Sequence, residues 1–159
     1  MRKFVSSLLL VWSALGVGLS PGTAAAGLTS PPDSPFIVES WSTDDGLPQS
    51  SVITVLQTHD GYLWLGTLNG LVRFDGVRFT VFDENSTPGL NSSRIVHLFE
   101  DSRHTLWVGT ETAGVVVVRD GEVRELGIGR GSRAGRLLAA CEDATGAVWL
   151  HTADGQLCR

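Results

Sequence analysis

The chain has 159 residues, 42% of them hydrophobic, with 12 basic against 17 acidic side chains and a formal net charge of -5. That is the composition of one ordinary globular domain, neither a disordered tail nor a series of membrane spans. Lys3 is the only lysine, and the acidic remainder without basic runs argues against nucleic acid as a partner.

In chain order, Arg2 and Lys3 precede an uncharged apolar run from Phe4 to Leu19, and Pro21-Gly22 and Ala24-Ala25-Ala26 follow. Residues 1–26 read as the charged, apolar and A-x-A regions of a secretory signal peptide, cut after Ala26. The run of 16 residues is short for a spanning helix, which needs about 20. The expectation is an exported, periplasmic chain in which residues 27–35 are a linker and 36–50 hold an N-terminal strand and a lead-in.

From there the text repeats. Trp64, Trp107 and Trp149 lie 43 and 42 residues apart, in "YLWLGT", "TLWVGT" and "AVWLHT". Each tryptophan is flanked by apolar residues, and Thr67, Thr110 and Thr152 recur three places after it. Glycine recurs slightly later, at Gly70, Gly114 and Gly155. A period of 40–50 residues is that of propeller blades. In the first repeat, Val52–Gln57, Tyr62–Thr67, Leu71–Phe74 and Arg78–Phe82 are short apolar runs separated by turn dipeptides, Asn69-Gly70 and Asp75-Gly76 among them. No sustained 3.6-residue apolar period competes with this reading. The fold expected is all-β: four-stranded antiparallel blades of an incomplete β-propeller, about two and a half in number. Blade 1 spans 51–90, blade 2 spans 91–133, and a partial blade 3 spans 134–159.

Several strands are apolar on both faces, as in "LWLG" and "GVVVV", which suits sheets stacked between other sheets. Tryptophan fills the gap between blades. The glycine two places on shares its face and leaves room for the neighbouring blade. His151 replaces that glycine in the third repeat, so packing should differ there.

The lead-in Asp45–Pro48 ("DGLP"), the core Asp60–Gly76 ("DGYLWLGTLNGLVRFDG") and the second core Glu100–Gly121 together resemble the two-component regulator propeller repeats, with Glu142–Arg159 a weaker third copy. The resemblance runs from about Phe36 to Arg159. It implies the periplasmic ligand-sensing propeller of a histidine kinase-type receptor, with further blades, a transmembrane helix and a kinase output downstream, and a dimeric complete receptor. Three blades do not close a ring, so the chain reads as an N-terminal fragment. A small protein that assembles into a ring is the alternative.

The four histidines share no repeat position, so blade symmetry does not gather them, and neither a metal site nor a cofactor is expected. "GRGSRA" (Gly129–Ala134) matches a dinucleotide fingerprint only on paper, because no strand–turn–helix unit surrounds it. The sequons at Asn85 and Asn91 read as polar loop residues. Cys141 and Cys158 should lie on the first and third strands of blade 3, too far apart for a disulfide.

Propeller ligands approach the end where inter-blade links and the turns between second and third strands converge. There Ser51, Arg94 and Arg136, each thirteen residues before its tryptophan, join Asn69, Glu111 and Asp154 as candidate ligand-binding residues. The two arginines suit sugar hydroxyls or carboxylates, and pairing with nearby acids is the plainer account. The expected partner is an extracellular small molecule or oligosaccharide. No catalytic constellation is present, and the alternatives to a sensor are an exported propeller enzyme of the lyase or glycosidase type and an interaction scaffold.

Overall fold

A computed structural model describes residues 36–126 and 135–159. The expected signal peptide and linker, and the "GRGSRA" loop, lie outside the described residues. Eleven strands in these residues form three separate antiparallel sheets. The first orders β1 (Val52–Gln57), β2 (Leu63–Thr67), β3 (Gly70–Phe74) and β4 (Phe79–Phe82). The second repeats this with β5 (Ile95–Glu100), β6 (Leu106–Thr110), β7 (Val115–Arg119) and β8 (Glu122–Glu125). The third has β9 (Leu137–Glu142), β10 (Val148–Thr152) and the two-residue β11 (Leu157–Cys158). Within each sheet every strand pairs with the one before it, as tight hairpins require, and Asp120 and Gly121 both take positive φ (51° and 78°) in the two-residue turn joining β7 to β8.

The sheets stack as blades. β5 packs against β1 and β2, and β9 against β5 and β6, so the first strands of successive blades line up side by side. Trp64 enters one core with Leu98, Leu106, Val108, Val116 and Val118 of the next blade. Trp107 packs likewise against Leu137 and Leu150 of the third. Each fully buried aliphatic side chain contributes about 1.5–3 kcal/mol, and Leu71, Val72, Ile95, Val108, Val115, Val116 and Leu137 are all sealed from solvent.

The glycine two places after the first and second tryptophans has the role expected of it. A Cβ on Gly66 would stand 2.9 Å from Ile95 Cγ2 of the next blade, and one on Gly109 would stand 2.7 Å from Leu137 Cβ. His151, in the same slot of the third blade, is exposed. The recurring threonine is explained by the turn after it. Thr67 and Thr110 are buried, and each hydroxyl donates to the carbonyl of the turn's closing glycine, at 2.9 Å to Gly70 and 2.8 Å to Gly114. The same hydroxyls accept from the Asn69 and Ala113 amides.

The lead-in departs from expectation: no strand forms over 36–50. Residues 36–40 are exposed and belong to none of the three sheets. Thr43–Asp45 instead make one 3-10 turn, capped by Ser42, whose backbone N–H donates to Asp45 Oδ2 at 2.7 Å. This turn sets Trp41 edge-on against Phe74, with ring centroids 5.2 Å apart, and buries Leu47. Cys141 and Cys158 sit on the first and third strands as expected. They pair with Trp149 and Leu150 respectively, so they point to opposite faces of the sheet.

Candidate functional site

The alternation of strands and turns gives the stack two ends. One carries the links between blades and the turns after β2, β6 and β10; the other carries the turns after β1, β3, β5, β7 and β9.

At the first end, the link from Asp83 to Arg94 is well tied. Asp83 Oδ1 accepts from the Asn85 and Ser86 amides at 2.8 and 2.9 Å, and these bonds hold its carboxyl below the ordinary range. The Asn91 side-chain amide donates to Glu125 at 2.7 Å, so this sequon residue is engaged within the fold. Of the six candidate residues, three come together. Arg94 Nε donates to Glu111 Oε2, and Arg136 Nη1 stands 4.0 Å from Glu111 Oε1. Glu111 is thereby flanked by arginines that begin successive blades, each with about half its side chain exposed. The Glu111 and Ala153 amides, both at 2.8 Å from the Arg94 and Arg136 carbonyls, fix the backbone beneath. Asp154 is engaged inside its own turn, where Thr152 and Gln156 donate to its carboxylate and the threonine hydroxyl leads in lowering its pKa. Asn69 and Ser51 lie exposed on the first blade and do not join the cluster.

The second end holds features that symmetry reasoning missed. Six residues before the second and third tryptophans stand Asp101 and Asp143. Trp107 Nε1 donates to Asp101 at 2.9 Å, and Trp149 Nε1 to Asp143 at 2.7 Å. Burial opposes ionisation of Asp101, but bonds from Trp107, Thr105 and Arg103 outweigh it and keep its pKa low. The Thr145 and Trp149 donors hold Asp143 lower still. In the first blade Thr58 takes this position, and its hydroxyl donates to Asp60 at 2.6 Å.

One residue earlier stand Glu100 and Glu142, which fasten one blade to the next. The His59 amide donates to Glu100 Oε2 at 2.9 Å, while its Nδ1 bonds Oε1 at 2.7 Å. The Ser102 amide donates to Glu142 Oε2 at 2.7 Å, while its hydroxyl donates to Oε1 at 2.5 Å. The same two repeat positions make the clasp at both junctions. An alignment of the segments ahead of each tryptophan shows these acids in register, but their partners lie in a different repeat.

The clasp between the first two blades borders a groove of about 690 Å³ lined by Trp64, Leu71, Arg73, Glu100, Arg103 and His104, among others. Two of the four histidines nevertheless come together here. His59 and His104 stack with ring centroids 3.5 Å apart and an interplanar angle of 19°. They come from different repeat positions, yet both lie in turns at the same end of neighbouring blades. His97, by contrast, is half-buried beside Gly109, and desolvation alone pushes its pKa down.

Comparisons with known proteins agree with this architecture. Two segments, residues 46–69 and 89–112, match the family described as two component regulator propeller. Histidine kinase P4 of Formosa agariphila is 45% identical over 53 residues, which are 33% of this chain and 4% of that protein. A solved structure described as the extracellular domain of a hybrid two-component system from B. thetaiotaomicron superposes with a TM-score of 0.58. It is 21% identical and matches 71% of this chain and 16% of its own, a likeness of fold. This chain thus spans a small part of either relative. The two matched segments are the lead-in through β2 and the end of the first inter-blade link through β6, and over them the chain is similar to the two-component regulator propeller family.

Proposed function

We propose that these blades are the N-terminal part of an exported, ligand-sensing propeller that serves the receptor side of a two-component signalling system. The family match supports the signalling role, and the apolar leader of residues 1–26 supports export. Among the described residues no helix is long and apolar enough to cross a membrane. In this reading the chain is a recognition module without catalysis of its own, and further blades, a membrane segment and a kinase output belong to the complete receptor.

The observation that carries the ligand reading is the Arg94–Glu111–Arg136 cluster. It lies on turns and links held by a rigid stack, where recognition residues concentrate. Two half-exposed guanidinium groups on successive blades, bridged by one carboxylate, offer N–H donors to a ligand carboxylate or to sugar hydroxyls. The ligand class is a small acid or an acidic oligosaccharide. Calorimetric titration of the purified chain with a panel of neutral and acidic oligosaccharides tests it. The expected result is binding of an acidic member that Arg94→Ala and Arg136→Ala each weaken about tenfold or more. Binding indifferent to both substitutions, or no binding across the panel, would sink the reading.

A further inference from the structure

We propose that His59, Glu100 and His104 form a binding site for one divalent cation of the zinc class, bridging the first and second blades. One donor atom from each residue lies within 4.8 Å of the other two. Ligand atoms around a tetrahedral ion, with metal–nitrogen and metal–oxygen distances of about 2.0–2.2 Å, sit roughly 3.3–3.6 Å apart. Because the lone pairs lie in the ring planes, the two exposed imidazoles must turn out of their parallel stack to converge on an ion. Two neutral imidazoles and one carboxylate are the donors that zinc and its neighbours favour, whereas calcium and magnesium require more oxygen ligands. A hydrogen bond now joins His59 Nδ1 to Glu100 Oε1 at 2.7 Å, and a cation held by Nδ1 would take its place, with the neutral imidazole carrying its proton on Nε2. The His59 amide already fixes the other carboxylate oxygen at 2.9 Å, so Glu100 is oriented in advance. Water would complete the coordination from the groove.

The repeat itself argues that the histidines are not there for structure. At the second junction Ser102 and Glu142 make the same clasp without an imidazole. Three residues before each tryptophan the chain bends into the left-handed region. The first and third repeats place Gly61 (φ 89°) and Gly146 (φ 78°) there, whereas the second places His104 (φ 63°). A residue with a Cβ is strained in that conformation, and such strain persists at positions that serve a function. Here it delivers a second imidazole onto His59.

This internal comparison supplies variants that should fold. His104→Gly restores the glycine of the other two repeats, and His59→Ser copies the second clasp. The test is calorimetric titration of the full chain with Zn²⁺, with Co²⁺ absorption as a reporter of nitrogen and oxygen coordination. The wild type should bind one ion per chain and melt at a higher temperature with Zn²⁺ than with chelator. Each variant should bind at least tenfold more weakly, with an unchanged or higher melting temperature in chelator, while His151→Ala should bind like the wild type. Absence of stoichiometric binding by the wild type overturns the proposal. So does undiminished affinity in both His59→Ser and His104→Gly.

Discussion

Substituting Gly109 by alanine should loosen the joint between the second and third blades. The added Cβ would stand 2.7 Å from Leu137 Cβ, 2.9 Å from Leu137 Cδ2 and 3.1 Å from His97 Cβ. Carbon atoms prefer separations of about 3.5–4.0 Å, so β9 must retreat by most of an ångström. Leu137 is only 1% exposed, and its own Cβ is one of the obstructing atoms, so a change of rotamer does not relieve the contact. Gly109 does not have positive φ, and in an ordinary strand conformation alanine gains roughly 0.5–1 kcal/mol over glycine. Overpacking of this kind costs about 1–3 kcal/mol even so. For a chain of this size that lowers the melting temperature by roughly 4–12 °C. Thermal unfolding followed by far-ultraviolet circular dichroism measures the loss, and Trp107 fluorescence reports on the joint itself. His151→Gly, in the matching but exposed slot of the third blade, should stay within about 0.5 kcal/mol of wild type. If Gly109→Ala melted at or above the wild-type temperature, the account of glycine as the space for the neighbouring blade would be wrong.

Three further outcomes are expected. Asp101→Ala removes the acceptor for Trp107 Nε1 and for two turn amides, so it should cost on the order of 1.5–3 kcal/mol in urea unfolding and shift the Trp107 emission; an unaltered midpoint would count against the anchoring role. Glu142→Ala breaks the second clasp and should cost about 0.5–1.5 kcal/mol without changing strand content, a double-mutant cycle with Ser102→Ala measuring the coupling; additive losses would deny that the pair acts together. Asp75, Asp83, Asp101 and Asp143 all have lowered pKa values in the fold, so their contribution is full above the ordinary carboxylate range and is lost as pH falls through and below about 4. Melting temperature should therefore be level from pH 7 to 5 and decline below 4, and a flat profile to pH 3 would refute the assignment.

The fold was legible because its determinants are local and repeated. A tryptophan, a glycine two places on and a threonine one beyond that each act within one hairpin or against the blade next to it, so their period survives in the text. Strand limits came within a residue or so for the same reason, since Asp75-Gly76 and Asp120-Gly121 dictate where strands turn. The lead-in was misjudged because an isolated apolar stretch such as Phe36–Val38 says nothing about whether a pairing edge is available. The histidine cluster stayed hidden because His59 and His104 hold different repeat positions and meet only through blade stacking. At the opposite end, position thirteen before the tryptophan did mark Arg94 and Arg136. The intervening Glu111 was recognised as a turn residue, while its pairing needed coordinates.

The clasp between blades has a sense: at both junctions among the described residues, a turn amide of one blade reaches the glutamate of the next. Both halves fall inside a single period, two residues apart. A gene segment of one whole period therefore encodes a donor for the blade after it and an acceptor for the blade before it. Unequal crossing-over that copies such a segment yields an array whose new junctions are already fastened, with no compensating substitution needed. The first repeat breaks the series, since neutral Gln57 occupies the acceptor position. A copy of the first repeat placed after another blade would therefore lack the carboxylate acceptor that the second and third repeats carry.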